Sequence, residues 1–309
     1  MTRRKNLRMR RRLIPCLFLI VSPFACLGQS ESATASAPQA DIRILMSFAD
    51  QVGKPMLPPA KESLRLRFDG KPVEIGEILS LKDAPLFFSV LVGASGSTQL
   101  FAEQQIAAVS KLFKALTADK NRGFLVVFND GIAARKDVIT AENVDEVIKE
   151  FRAKSRNGSI ALYDAVVLAC QEQLASAKLP RTARRAILLF SDGGDNASRH
   201  SLRKTVEAAQ REGIPIFSIR PARDKSTGSP RSQRQEDQAL ETLSGGTGGL
   251  VAIFNDPNGT IQQLVGFLGS QDLVSIRTGA LKARKSYSLK FEQTEKYFFA
   301  LMQTDYFAP

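Results

Sequence analysis

The amino-acid sequence predicts an α/β fold: a doubly wound, mostly parallel sheet with a small accessory β segment from the N- and C-terminal regions. Two patterns predict it. Between residues 85 and 269, uninterrupted apolar runs alternate with amphipathic stretches of helical period, the signature of strands buried on both faces and of the helices that cover them. On either side, over residues 41–80 and 270–309, strand-like stretches occur without helices. With 309 residues, 43% of them hydrophobic and 24% charged, the composition is that of a globular protein of one or two domains.

Taken in order, the first element is an export signal. Arg3, Arg4, Lys5, Arg8, Arg10, Arg11 and Arg12 form a basic head, and an apolar body follows over residues 13–27, broken by Pro15 and Pro23. Crossing a bilayer needs about 20 apolar residues, so residues 1–28 read as a secretory signal peptide that touches a membrane only transiently. Cleavage fits after Gly28, and the triplets Ala33-Thr34-Ala35 and Ala35-Ser36-Ala37 compete with it. Residues 2–8 partly match the twin-arginine pattern, with Asn6 at the usual aromatic position. Lipidation of Cys26 would need a Leu-Ala-Gly-like triplet before it, of which Pro23-Phe24-Ala25 is a poor version.

Residues 29–40 are small and polar, with nothing to bury, and read as a linker. The lead-in, 41–80, offers a strand at 42–48, a turn at 52–56, strict alternation at 64–68, the Asp69-Gly70 turn and a strand at 72–75. In the central region, 85–269, strands are expected at 86–92, 123–128, 186–190, 214–219 and 250–254. Helices are expected at 99–117, 141–152, 161–177, 200–212, 236–244 and 258–269. The tail offers strands at 273–277 and 287–291, expected to pair with the lead-in.

Lys and Arg total 43 against 31 Asp and Glu, a formal charge of +12. Removing the seven basic residues of the export signal leaves +5, which takes away the basis for a nucleic-acid partner. Residues 220–234 hold five of the remaining cations with one acid and no aromatic to stack on bases. They read as a solvated loop that biases partners toward acidic surfaces. Cys16 and Cys26 fall in the export signal, so Cys170 is left alone in an apolar helix, without an intramolecular disulfide, as a buried inert thiol.

Ligands of open α/β sheets sit at the carboxyl ends of the strands. Two loops follow strands there, at 93–98 (Gly-Ala-Ser-Gly-Ser-Thr) and 191–196 (Ser-Asp-Gly-Gly-Asp-Asn), and a hydroxyl-bearing segment at 156–165 enters a helix. In this ordered set the chain resembles the von Willebrand factor type A domains. In particular it is similar to a bacterial exported group in which a β segment precedes the domain and a tail ending in Tyr-Phe-Ala-Pro follows it. Here the chain closes with Tyr306-Phe307-Ala308-Pro309, and residues 244–249 echo the family's glycine after the penultimate helix.

The resemblance spans residues 41–309 and implies a Rossmann-like sheet in a non-enzymatic, protein-binding or adhesion module. It also implies a metal-ion-dependent adhesion site for Mg²⁺ or Mn²⁺, built from an Asp-x-Ser-x-Ser loop, a later Thr and an Asp after the central strand. Ser95, Ser97 and Asp192 match three of those positions. Gly93 replaces the first aspartate, and Ile160 falls at the threonine position, which Ser159 takes only if the loop slips by one residue. The site's formal charge drops from −2 to −1, so the resemblance implies a degenerate site with weak or no divalent binding. Asp195 reads as a turn and helix N-cap residue, and Asp164 as a first-turn helix charge.

Two other classes stay open. A serine hydrolase would use Ser95 or Ser97 with Asp192, but Ser97 stands where a nucleophile elbow needs its second glycine, and His200, the one histidine, reads as a surface residue. A metal-free structural component of an envelope assembly would use the same loops for packing alone. Phosphate-cradling glycine motifs are absent after the first strand, and Gly245 to Gly249 read as a helix terminator. The expected partner is a protein or cell-surface ligand of an exported protein, in the periplasm, cell envelope or outside the cell.

Overall fold

The computed structural model describes residues 40–308 except 95–100, 118–119, 141, 153–158, 175–182, 223–228 and 294–297. The expected signal peptide and linker up to residue 39 lie outside the described residues. Two sheets organise the rest. The first contains β5 (Leu86–Gly93), β6 (Arg122–Phe128), β7 (Ile132–Ile139), β8 (Arg184–Phe190), β9 (Ile216–Pro221) and β10 (Val251–Phe254), in the order β10-β9-β8-β5-β6-β7. Its first five strands pair in parallel; β7 returns antiparallel along β6 as an edge, which makes the sheet mixed.

Period-two alternation sends side chains of each inner strand to opposite faces. Phe88, Val90 and Val92 of β5 join a core with α1 (Ala102–Leu116), α2 (Val144–Arg152) and α6 (Pro257–Gly269). Leu91 joins the opposite core with α3 (Leu162–Leu168), α4 (Leu202–Glu212) and α5 (Pro230–Thr247). Each fully buried Leu or Phe removes apolar area worth about 2 kcal/mol from water.

Two elements differ from their expected form. Residues 230–234, expected in a solvated loop, form the first turns of α5, because Ser229 accepts a hydrogen bond from Ser232 N and Pro230 suits the first helical position. The same helix continues through Gly245 and Gly246 and stops at Gly248, whose φ of +89° ends it. The helix expected over 161–177 is α-helical only to Leu168 and passes into a π-helical turn, Ala169–Leu174. That widened turn brings the buried Gln173 within 2.6 Å of the Ser89 hydroxyl of β5.

The second sheet is larger than the small accessory segment expected. It has eight strands, in the order β13-β1-β11-β4-β3-β12-β14 with β2 on β1, and its pairings are antiparallel. β1 (Ala40–Asp50), β2 (Pro55–Met56), β3 (Leu64–Phe68) and β4 (Lys71–Ser80) come from the lead-in. β11 (Gln271–Thr278), β12 (Ser286–Gln293), β13 (Phe298–Met302) and β14 (Asp305–Phe307) come from the tail. Ile42, Ile44, Met46 and Phe48 of β1 fill its core with Leu64, Leu66 and Phe298. Ala49, Phe299 and Leu301 point the other way, into the core under α1 and α6, which seats this sheet against the α/β layer. Among the described residues no helix is long and apolar enough to cross a membrane.

Candidate functional site

From β5 the chain runs outward to β6 and β7 on one side, and from β8 to β9 and β10 on the other, so the order reverses between β5 and β8. Loops leaving two such neighbouring strands part, which opens a crevice at their carboxyl ends. β5 ends at Gly93 and β8 at Phe190, and residues 159–161 form the third wall on the way into α3.

At the base of that crevice stands an isoleucine. A Cβ built on Gly93 would meet Ile160 Cδ1 at 3.3 Å, the Phe190 carbonyl oxygen at 3.4 Å and Phe128 Cζ at 3.5 Å. Ile160 is 6% exposed and belongs to the apolar core on the α3 to α5 face, whereas Ser159 beside it is exposed. Its Cγ2 also lies 3.9 Å from a Cβ built on Gly194, so the side chain sits between the bases of the loops after β5 and β8. Asp192 is half-buried, and its Oδ1 accepts from Gly194 N at 3.1 Å. Gly193 holds φ +96°, and a Cβ there would lie 2.3 Å from the Glu236 carbonyl oxygen, so only glycine lets this loop rest on α5. Ser95 and Ser97 lie outside the described residues. Among the described residues no three His, Cys, Asp or Glu side chains gather into a metal-holding group.

The loop after β8 and the entry to α3 are zipped together. Asn196 Oδ1 accepts from Ile160 N at 2.7 Å, while Asn196 N and Ala197 N donate to Ile160 O at 3.0 and 3.1 Å. Asp195 Oδ1 accepts from Tyr163 N at 3.2 Å and from Ser198 Oγ at 2.5 Å, and Ser198 Oγ accepts from Asp164 N at 3.1 Å. Asp195 therefore caps α3 across the crevice; Ser201 is the N-cap of α4. In return Asp164 accepts from Arg199 N and His200 N, with His200 Nδ1 2.7 Å from its Oδ1. Burial pushes the Asp164 carboxyl up, but these hydrogen bonds outweigh it and hold the group below the usual carboxylate range. His200 is exposed and engaged with Asp164.

Sequence reasoning missed the parts played by Asn196 and Ser198. Short polar side chains that satisfy backbone groups of a neighbouring segment are the signal they carry. The result is a wall with its polar groups tied to one another and an apolar plug at its base.

No protein-family model matches the chain, and no curated protein matches it. Among solved structures the chain is similar to proximal thread matrix protein 1 from the mussel byssus, at 15% identity and a TM-score of 0.49, over 60% of this chain and 48% of that one. It is similar to a von Willebrand factor type A structure from Catenulispora acidiphila, at 10% identity and 0.45, over 88% and 73% of the two chains. A third is the manganese-loaded Plasmodium vivax TRAP protein, at 14% and 0.44, over 77% of this chain and 100% of that one. The chain spans about half the length of the mussel structures.

Proposed function

We propose that the chain is an exported, non-enzymatic binding module of the von Willebrand factor type A kind. Its loops at 93–98, 159–161 and 191–196 engage a protein or cell-surface ligand without a tightly held divalent cation. One observation carries this reading: a Cβ at Gly93, where the first aspartate of a metal site would stand, would already meet the buried Ile160 Cδ1 at 3.3 Å and Phe128 Cζ at 3.5 Å, so that position abuts apolar side chains. Mg²⁺ and Mn²⁺ ask for several oxygens in octahedral array and part reluctantly with water. Asp192 is the single carboxylate at the candidate ligand positions, its Oδ1 is engaged by Gly194 N, and the buried Ile160 side chain offers no ligand oxygen. These residues do not fit a divalent ion.

Binding then rests on the exposed Ser159 and the half-buried Asp192, presented on a wall held in place by the Asp195, Asn196 and Asp164 hydrogen bonds, with Ser95 and Ser97 as the further candidates the sequence offers. Because that wall is tied down before a partner arrives, little ordering entropy opposes association. Capture of envelope proteins on the immobilised chain, with and without chelator, tests this. A specific partner retained equally in both and lost with Ser159→Arg or Asp192→Arg is expected. Retention that vanishes with chelator contradicts the metal-free reading, and labelling of Ser95 or Ser97 by a fluorophosphonate contradicts the non-enzymatic one.

A further inference from the structure

At the opposite, amino-terminal ends of β8 and β9 the structure opens a second concavity. A cavity of about 630 Å³ lies between the end of α4 and the second sheet, bordered by Arg43 of β1, Arg211 of α4, Arg284, and Tyr306 and Phe307 of β14. A smaller one of about 190 Å³ shares Arg43, Leu45, Glu212 and Gly213 with it and continues to Arg185 of β8, so the two form one trough. Glu212 is the sole acid lining either part among the described residues.

Ordinary structural roles account for some of these cations. Arg184, at the same end, donates to the carbonyls of Ala84 and Leu268. Arg211 lies 5.3 Å from the Phe307 ring centre and suits the last turn of α4. Others are left over. Arg185 Nη1 is 3.9 Å from Glu212, too long for a hydrogen bond, and its buried Nε has no acceptor among the described residues. Arg43 and Arg284 are exposed and in no ion pair among the described residues. Arg284 moreover holds φ +62°, a left-handed conformation that glycine or asparagine takes more easily.

Guanidinium groups pair bidentately with carboxylates. Here Arg43, Arg211 and Arg284 line the larger part of the trough and Arg43 and Arg185 the smaller, with Leu45 shared and Tyr306 and Phe307 adding apolar lining to the larger part. A small anion would engage one part only. We propose that this trough binds an extended peptide segment whose carboxylate side chains flank an apolar residue, at a surface separate from the crevice of the sheet.

Arginine-selective modification of the full chain by phenylglyoxal, followed residue by residue by mass spectrometry, tests the proposal. The probe is an octapeptide of alternating Glu and Leu; a Lys and Leu octapeptide and citrate are the comparisons. The acidic peptide is expected to slow modification of Arg43, Arg211 and Arg284 by about fivefold or more, with little change from either comparison. Anisotropy of the labelled acidic peptide is expected to show affinity about tenfold weaker for Arg43→Glu with Arg284→Glu, and near wild type for Lys61→Glu with Lys290→Glu, the same charge change elsewhere. Protection confined to Arg3 through Arg12, equal protection by citrate, or equal loss in both double variants overturns it. Site-resolved protection in the wild-type chain decides the matter even if a double variant does not fold.

Discussion

Ile160 and Gly93 are a matched pair, and their coupling is measurable. Gly93→Asp alone forces a Cβ and a charge against Ile160 Cδ1 and Phe128 Cζ, so urea unfolding is expected to show a loss of about 2 kcal/mol. Combined with Ile160→Thr, which vacates the space and supplies a hydroxyl, the double variant is expected to lose less than the sum of the two single ones. Additive losses would mean that the two residues do not share this space. A second residue sets a pH dependence. Asp272 is 2% exposed, its Oδ2 has no partner among the described residues, and burial pushes its carboxyl up to about 6 against a hydrogen bond from Ser80. A folded-state value above the unfolded one means that the folded chain holds the proton more tightly. Stability therefore falls as pH rises from about 4 to about 6, on the order of 2 kcal/mol, and stays lower above that. Asp272→Asn is expected to flatten that slope and raise the urea midpoint at pH 7; an unchanged slope would assign it to other groups. At this scale the candidate position at Gly93 was legible, since the residue is read directly from the sequence. The hydrogen bonds of Asn196 and Ser198 were not, because their partners stand more than 30 residues away.

Elements were legible where local pattern and tertiary demand agreed. The strand at 64–68 alternates strictly and ends at Asp69-Gly70, and β3 has those bounds. The start of α5 was hidden because Ser229 and Pro230, a cap and a first-turn proline, sit inside a run rich in charge that reads as solvated chain. β7 carries too little apolar alternation to announce an antiparallel edge, and β13 and β14 are short strands fixed by their partners β1 and β12. The π-helical turn had no local signal; its widened backbone serves the buried contact of Gln173 with Ser89. Cys170 lies in that turn at 0% exposure, and burial, aided by the charge of Glu212, pushes its thiol far above the ordinary range. Iodoacetamide at pH 8, followed by mass spectrometry of the peptide that carries Cys170, is expected to label it about a hundredfold more slowly in the native chain than in urea. Comparable rates would place the thiol at an accessible surface.

At the scale of the whole molecule, the two sheets share side chains: Ala49, Phe299 and Leu301 leave the antiparallel sheet to enter the core beneath α1 and α6. Far-ultraviolet dichroism, which follows the helices, and the near-ultraviolet tyrosine signal, to which Tyr287 and Tyr306 of the second sheet contribute, are therefore expected to melt at one midpoint. Two separated transitions would show that the sheets fold independently. The pairing of lead-in with tail followed from their common strand-rich pattern, whereas the sheet's size did not, because register between segments more than 200 residues apart is written in packing rather than in local sequence. The formal charge of +12 misdirects at this scale until the basic head is set apart. The proposed metal-free reading of the crevice rests on the absence of a carboxylate at Gly93, not on the surplus of positive charges. Calorimetric titration of Mn²⁺ into the chain tests that claim most directly. The apolar plug at Ile160 predicts no saturable heat up to about millimolar metal, and a one-site isotherm in the micromolar range would contradict it.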